Sequence, residues 1–472
     1  MTKNLIPNKK DEPAKWYTAV VQLAELSDYG PSKGTMIIRP YGYAIWENVQ
    51  KVFDEMIKDY GVDNAYFPIF IPMSYIEKEK SHVDGFAPEL AIVTHGGGQK
   101  LEEPLVIRPT SETIINASFT KWVQSHRDLP IKLNQWSNAV RWEKRTLPFL
   151  RTTEFLWQEG HTIHSTHEEA KAMQKYAMDS YAKLYREYYA LDGYVGRKSR
   201  METFAGADET LTFETMMPSG KALQSCTSHD LGQNFAKAFD TKFQDEDGEE
   251  KFVWQTSWGL STRSIGGLIL GHGDDNGLVL PPRLAPKQVV IVPVKSNERL
   301  VAFSNELKAT LRQAGIRADV DDRDDESFGY KLNKWDVKGV PVIFKIGEKE
   351  AADKTVTAKR RDTGEENHFA ASDTAQETAK LLEIIQADLL VKSRQVRDEN
   401  TREASTYEEM KQILAEHKGF VKVFWNDNSE IEAKIKEETK AVSRCCIETG
   451  KKGTDFYTGK PATEVWLFAQ SY

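Results

Sequence analysis

Residues 141–155 read Arg141-Trp142-Glu143-Lys144-Arg145-Thr146-Leu147-Pro148-Phe149-Leu150-Arg151-Thr152-Thr153-Glu154-Phe155. Strand-like stretches flank this segment at 131–143 and 152–163, and 144–151 is turn-like, so the chain runs out along one strand and back along the next. Residues two apart on a strand share a face, which sets Arg141 and Glu143 side by side. An arginine fork suits a phosphate, a carboxylate accepts from an exocyclic amine, and Phe155 offers a ring for a base to stack on. Taken alone, Arg-x-Glu more often means a cross-strand ion pair beside a core phenylalanine. The neighbouring sequence decides which reading holds.

Downstream, Thr166 and Glu169 have the spacing of a capping box and predict a long helix to about residue 190. Strand-like stretches follow at 200–206, 222–227 and 252–258, and 259–270 reads as a short loop entering a helix with Arg263 in its first turn. A helix N-terminus with a guanidinium beside it makes an anion site. Upstream, Ile45, Val49, Val52, Phe53, Met56 and Ile57 recur at helical spacing up to Gly61. A strand is expected over 65–71, punctuated by Pro68 and Pro72, and a second helix after Pro109 carries Ile114, Ile115, Phe119, Trp122 and Val123. Long strands interrupted by helices indicate an α+β domain on a mixed or antiparallel sheet.

Pro281, Pro282 and Pro286 mark a break. Beyond it, strands at 289–294, 316–320 and 340–346 alternate with helices at 297–313 and 372–390, the pattern of a small α/β domain. The charged stretch 392–403 reads as a linker, and 406–472 as a third, smaller α/β piece. A 40% hydrophobic, 28% charged composition excludes wholesale disorder. No apolar run approaches the ~20 residues of a membrane helix, and residues 1–16 contain no apolar signal core. Cys226, Cys445 and Cys446 make neither a disulfide framework nor a paired zinc motif, so a cytoplasmic location is expected. The net charge of −8 argues against indiscriminate coating of nucleic acid but permits a grip on one RNA through local basic patches.

In order, three pieces resemble the signature motifs 1, 2 and 3 of class II aminoacyl-tRNA synthetases: Gly61 to Pro68 with its preceding helix, Arg141-x-Glu143 … Arg151-x-x-x-Phe155, and Gly259-Leu260-x-x-Arg263. Arg108-Pro109-Thr110-Ser111-Glu112, Trp157-Gln158-Glu159-Gly160-His161-Thr162, Thr203-Phe204-Ala205-Gly206 and the run from Gln224 to Phe235 narrow it. Together they are similar to the prolyl-tRNA synthetase family, of the archaeal and eukaryotic type without an editing insertion. The resemblance spans Trp16 to Tyr472.

That resemblance implies an α+β catalytic domain on an antiparallel sheet over 1–285, an α/β anticodon-binding domain over 286–391 and a small α/β C-terminal domain over 392–472. It implies ATP-dependent activation of L-proline and prolyl transfer to tRNA(Pro), with Mg²⁺ as the activating ion and a homodimer built on motif 1. It assigns proline to Thr110, Glu112, Arg141, Trp157, Glu159, His161, Phe204 and His229. It assigns ATP to Arg141, Glu143, Arg151, Phe155, Gln224, Thr227 and Arg263, with Arg141 and Arg263 catalytic. The basic run Lys354, Lys359, Arg360 and Arg361 becomes the expected anticodon contact. Relatives of this type often carry a four-cysteine zinc site near the carboxy terminus. Segments 425–431 and 455–461 lack the cysteines expected there, and only Cys445 or Cys446 matches a ligand position, so no structural zinc is expected. His161, His164 and His167 straddle a strand and a helix cap and are read as no metal site. Threonyl and histidyl synthetases are disfavoured by the strings around Trp157 and Gln224, and a non-catalytic relative by the presence of Arg141, Phe155 and Arg263.

Overall fold

The structure, a computed structural model, describes residues 6–78 and 90–472. Its backbone is one eleven-stranded sheet, largely antiparallel. The centre runs Ile131–Val140, Glu154–His164, Trp254–Ser261, Ala222–Gly232, Glu209–Met216 and Gly193–Arg197, each strand antiparallel to the next. The helix His167–Glu187 crosses the back of this sheet, started by the reciprocal Thr166–Glu169 cap that the spacing predicts. Helix Pro40–Asp59 packs beside it, with Phe53 stacked on Tyr181 at 4.9 Å and Trp258 edge-on to both. Gly160 is obligatory in this layer: a Cβ there would lie 2.0 Å from the Trp258 indole.

The sheet does not stop at these six strands. Strands Val442–Thr454, Pro461–Ala469, Phe420–Phe424 and Thr401–Glu403 extend it, joined where Cys446 pairs with Arg197. A separate five-stranded sheet, with Val342–Ile346 at its centre and Val289–Pro293 between it and the edge strand Ala318–Val320, forms the second α/β unit. Its core is closed by the helices Glu298–Gln313 and Thr374–Glu399.

Several local expectations are corrected. The strand over 65–71 is broken. Asp63–Asn64 joins the large sheet, and Phe70–Pro72 pairs instead with 105–107 in a small three-stranded sheet. Pro68, which has no N–H to donate, sits in the change of direction. Residues 200–206 form turns, because Ser199 captures the Thr203 hydroxyl at 2.7 Å and the Glu202 amide, and Gly206 takes a left-handed φ of 92°. Residues 259–261 are the end of strand Trp254–Ser261 and not a loop.

The stretch 392–403 is no linker. Helix Thr374–Glu399 runs straight through it, then strand Thr401–Glu403 follows. Buried Asp192 explains this, since it binds Arg394 and Arg397 at 3.0 Å each, and its amide donates to Ser393 Oγ at 2.9 Å. The charged composition of the stretch suggests a linker, whereas a single carboxylate on another element holds Arg394 and Arg397.

The expected anticodon contacts also change. Lys354 is exposed, near Glu306 at 3.6 Å. Arg360 is 6% exposed and bound by Asp362 and Asp388, and Arg361, equally buried, grips Asp274 of the catalytic unit at 2.7 and 2.8 Å. Lys359 is held by Asp336 at 2.7 Å. Arg360 and Arg361 are withdrawn as RNA contacts, because their guanidinium donors are spent inside the protein. Arg361→Gln should destabilise the junction between the two units by roughly 2 kcal/mol, read as a lower first transition in calorimetry, while Lys354→Gln leaves that transition unmoved.

Candidate active site

A cavity opens on the face of the sheet opposite the helix His167–Glu187, and the pleat decides what lines it. Along Glu154–His164, Phe155, Trp157, Glu159 and His161 face the cavity. Gln158 faces back to the Tyr181 hydroxyl. On Ala222–Gly232 the alternation is interrupted. Opposite Phe213 and Glu214 the register jumps from Cys226 to Gln224, which makes Ser225 a bulge. The extra residue lets Gln224 reach the same cavity as Thr227 and His229. All fourteen residues assigned to proline or ATP from sequence line this one cavity.

One end is cationic and aromatic. Arg141 lies just past its strand, its Nε donating to the Pro109 carbonyl at 3.2 Å, with its guanidinium over the rings of Phe155 at 5.4 Å and Trp157 at 5.7 Å. Arg151 pairs with Glu143 at 2.8 Å. Arg263 is the first residue of helix Arg263–His272 and donates Nε to the Leu150 carbonyl at 3.0 Å. Burial, with Arg141 and Arg151 close by, pulls the Arg263 guanidinium below its ordinary pKa. Three guanidiniums thus converge with Glu143 as counter-ion, an arrangement completed by a polyanion.

The other end is acidic, aromatic and largely buried. Glu112 opens the helix Glu112–Trp122 and accepts from the Thr110 hydroxyl. Glu159 is a hub, accepting from Ser111, Gln135 Nε2 at 2.8 Å and His161 Nε2 at 3.0 Å. Burial alone would lower the His161 pKa. The bond and charge of Glu159, with Glu112 beyond, outweigh it and raise the pKa above 6.5. His229 behaves oppositely, pushed down to about 4 by burial, with His161 and Arg141 adding to the effect. Neutral at neutral pH, it is held by Thr210 at 2.9 Å and Thr227 at 3.0 Å and stacks on Phe204 at 4.5 Å.

Polar lining residues left unassigned by the sequence reading include Lys198, Glu202, Thr210 and Ser257. Ser257 is buried with no hydrogen-bond partner for its hydroxyl, and it shares the face of Gly259 and Ser261 by period two. Treating 259 onward as a loop concealed that signal. His161, His164 and His167 each have a separate partner, in Glu159, Thr162 and Asp230. Near the carboxy terminus, Asp455 ties the two cysteine-free segments by accepting from the amides of Asn426, Tyr457 and Thr458 at 2.8–3.0 Å. With Cys445 and Cys446 the only thiols in this domain and the Asp455 carboxylate taken up by backbone amides, this donor set does not fit a four-thiolate zinc site.

Three comparisons with known proteins bear on this geometry. Family models match at 94–271 (tRNA synthetase class II core domain for G, H, P, S and T), 288–381 (anticodon binding domain) and 407–472 (prolyl-tRNA synthetase, C-terminal). The chain is 48% identical over 479 residues to proline–tRNA ligase of Chlorobium limicola, covering 99% of each. It is also 48% identical to the chloroplastic/mitochondrial proline–tRNA ligase of Arabidopsis thaliana, covering 99% of this chain and 88% of that protein. The crystal structure of prolyl-tRNA synthetase from Cryptosporidium parvum complexed with halofuginone and AMPPNP superposes with a TM-score of 0.94 at 42% identity, covering 99% of both chains.

The raised His161 pKa carries a sign. A proton held more tightly in the folded state stabilises fully below the unfolded value of 6.5 and is lost as pH rises through the folded value. His161→Gln keeps the donor to Glu159 but cannot titrate. The stability difference between wild type and this variant should therefore shrink in urea midpoints as pH rises above 6.5, and a flat difference would refute the assignment.

Proposed function

The chain belongs to the prolyl-tRNA synthetases, class II enzymes that activate L-proline with ATP and pass the prolyl group to tRNA(Pro), and from that premise we propose how its residues divide the work. Glu112 pairs with the secondary ammonium of proline. Glu159, whose oxygens are engaged by Ser111, Gln135 and His161, shapes the seat from behind. Trp157 and Phe204 wall the pyrrolidine ring, with Thr110, His161 and neutral His229 fixing its orientation. Phe155 stacks on adenine, Arg141 bridges the proline carboxylate and the α-phosphate, and Arg151 and Arg263 take the outer phosphates. Glu143, Gln224 and Thr227 complete the nucleotide seat. What supports this division is the polarity of the cavity, with converging arginines at one end and buried carboxylates at the other.

The reaction needs positioning more than proton transfer. The proline carboxylate is ionised at neutral pH and attacks the α-phosphorus directly, forming the mixed anhydride as the bond to pyrophosphate breaks. Charge grows on the α-phosphoryl oxygens and on the departing pyrophosphate, where Arg141 and Arg263 lie within the cavity. Mg²⁺ enters as MgATP, part of the substrate, and neutralises phosphate charge. The second step passes prolyl from the adenylate to a terminal ribose hydroxyl of tRNA, releasing AMP.

We also infer a homodimer across the motif 1 region. Tyr29, Ile37, Tyr43, Tyr66 and Phe70 expose large apolar surface beside the helix Pro40–Asp59 and the strands that flank it, the signature of a covered face. A cytoplasmic location is supported by three cysteines that remain free thiols. Among the described residues no helix is long and apolar enough to cross a membrane.

ATP–pyrophosphate exchange without tRNA should depend on proline among the twenty amino acids. Arg141→Ala should slow it roughly 10²–10³-fold with folding retained, and exchange driven by another amino acid would overturn the pocket assignment. Sedimentation should give a species of twice the 53.7 kDa chain mass at micromolar concentration. A monomer there would remove the dimer.

A further inference from the structure

The turn 199–203 carries Phe204 to the proline end of the cavity, and much of its polar fastening comes from the carboxy-terminal strands and helices. Arg197 binds Glu464 at 2.7 Å and approaches Asp427 at 3.6 Å. The Arg200 amide donates to the Asp427 carboxylate at 3.3 Å, and Glu202 lies 3.8 Å from Lys436. Gly196 brings the two strands into contact, since a Cβ on it would lie 2.3 Å from the Cys446 carbonyl oxygen.

Beneath this turn lies a fully buried charge cluster. Glu214 has no exposed surface, and its Oε1 accepts from Lys198 Nζ and Thr212 Oγ1 at 2.9 Å each. Its Oε2 accepts the fork of Arg444 at 2.9 and 2.8 Å, across 230 residues of sequence. Lys198 in turn lines the cavity. Burial alone would raise the Glu214 pKa. Arg444 and Lys198 reverse this and hold it below the ordinary carboxylate value. One carboxylate thus holds both cations, and burial pulls the Lys198 ammonium below its ordinary pKa against the pull of Glu214. If the fork is removed, Oε2 becomes an anionic oxygen without a donor in a dry site. It must then draw Lys198 inward or admit water.

We propose that Arg444 is a positioning residue for amino-acid binding, acting through Glu214 and Lys198 on the wall that carries Phe204, so that the C-terminal domain sets the geometry of the proline end of the active site. This rests on the reading of that end as the proline seat. The ATP end is fastened elsewhere, by Arg263 to Leu150, Arg141 to Pro109 and the Thr153 amide to Gly34. The effect should therefore fall on one substrate.

The test is ATP–pyrophosphate exchange with the full-length protein, which needs no tRNA and so excludes effects on RNA binding. Arg444→Gln should raise KM for proline about tenfold with KM for ATP unchanged. Arg444→Lys, which keeps the charge and loses the fork, should fall between it and wild type. Equal rises in both KM values, or a rate that falls only with the folded fraction while both KM values stay put, would overturn the proposal. Should Arg444→Gln fail to fold, Asp427→Asn cuts the outer fastening of the same turn and should raise KM for proline alone. An unchanged value there overturns it equally. Glu112→Gln is the separate control. If it leaves KM for proline unaltered, the proline seat has been misplaced, whatever Arg444 does.

Discussion

The alternation along Glu154–His164 is the constraint on which the site rests. A strand gives each side chain one of two faces, and a slip of one residue exchanges them all. Here the even face carries Gln158 to Tyr181 and Gly160 under Trp258, while the odd face delivers Phe155, Trp157, Glu159 and His161 to the cavity. The register is secured from both sides. Tyr181 and Trp258 fill the layer behind, and Glu159 reaches Ser111 and Gln135 in front, so the start of helix Glu112–Trp122 is fixed relative to the strands. Glu112 thereby owes its place to Glu159.

The charges of the molecule divide by whether their partners lie within the chain. Glu159, Asp192 and Glu214 are buried and satisfied by several donors each, as a carboxylate removed from water requires. Arg360 and Arg361 are spent in the same way. The arginines at the cavity differ. Arg141, Arg151 and Arg263 converge with one carboxylate pairing Arg151, and burial together with their mutual repulsion pulls the Arg263 guanidinium below its ordinary pKa. The histidines divide too. His161 sits against Glu159, which raises its pKa, whereas His229 is surrounded by hydroxyls and an aromatic ring and burial lowers its pKa to about 4.

The three units are coupled by a few long-range bonds. Asp192 gathers the helix that closes the second unit, Arg361 reaches Asp274, and the carboxy-terminal strands continue the catalytic sheet edge to edge at Arg197. The turn 199–203 is therefore fastened by a distant part of the chain, which gives the carboxy-terminal residues a hold on the wall that carries Phe204.

Local grammar in the sequence determined a good deal. The Thr166–Glu169 cap, the apolar stripe from Ile45 to Ile57, the strands either side of 144–151 and the placing of Arg263 in a first helical turn all follow from spacing, because these elements are set by neighbours within a few residues. The motif strings then named the cavity's residues, and the structure draws all of them to one place. What was not legible depends on partners distant in sequence. The bulge at Ser225 needs Phe213 and Glu214 opposite it. The helix through 392–399 needs Asp192, and the burial of Arg360 and Arg361 needs Asp388 and Asp274. Lys198 enters the site on Glu214, which Arg444 in turn grips. A charged side chain looks the same in sequence whether it faces water or a carboxylate hundreds of residues away, and only the tertiary structure decides which, because burial of a charge is permitted only where its counter-ion is brought to meet it.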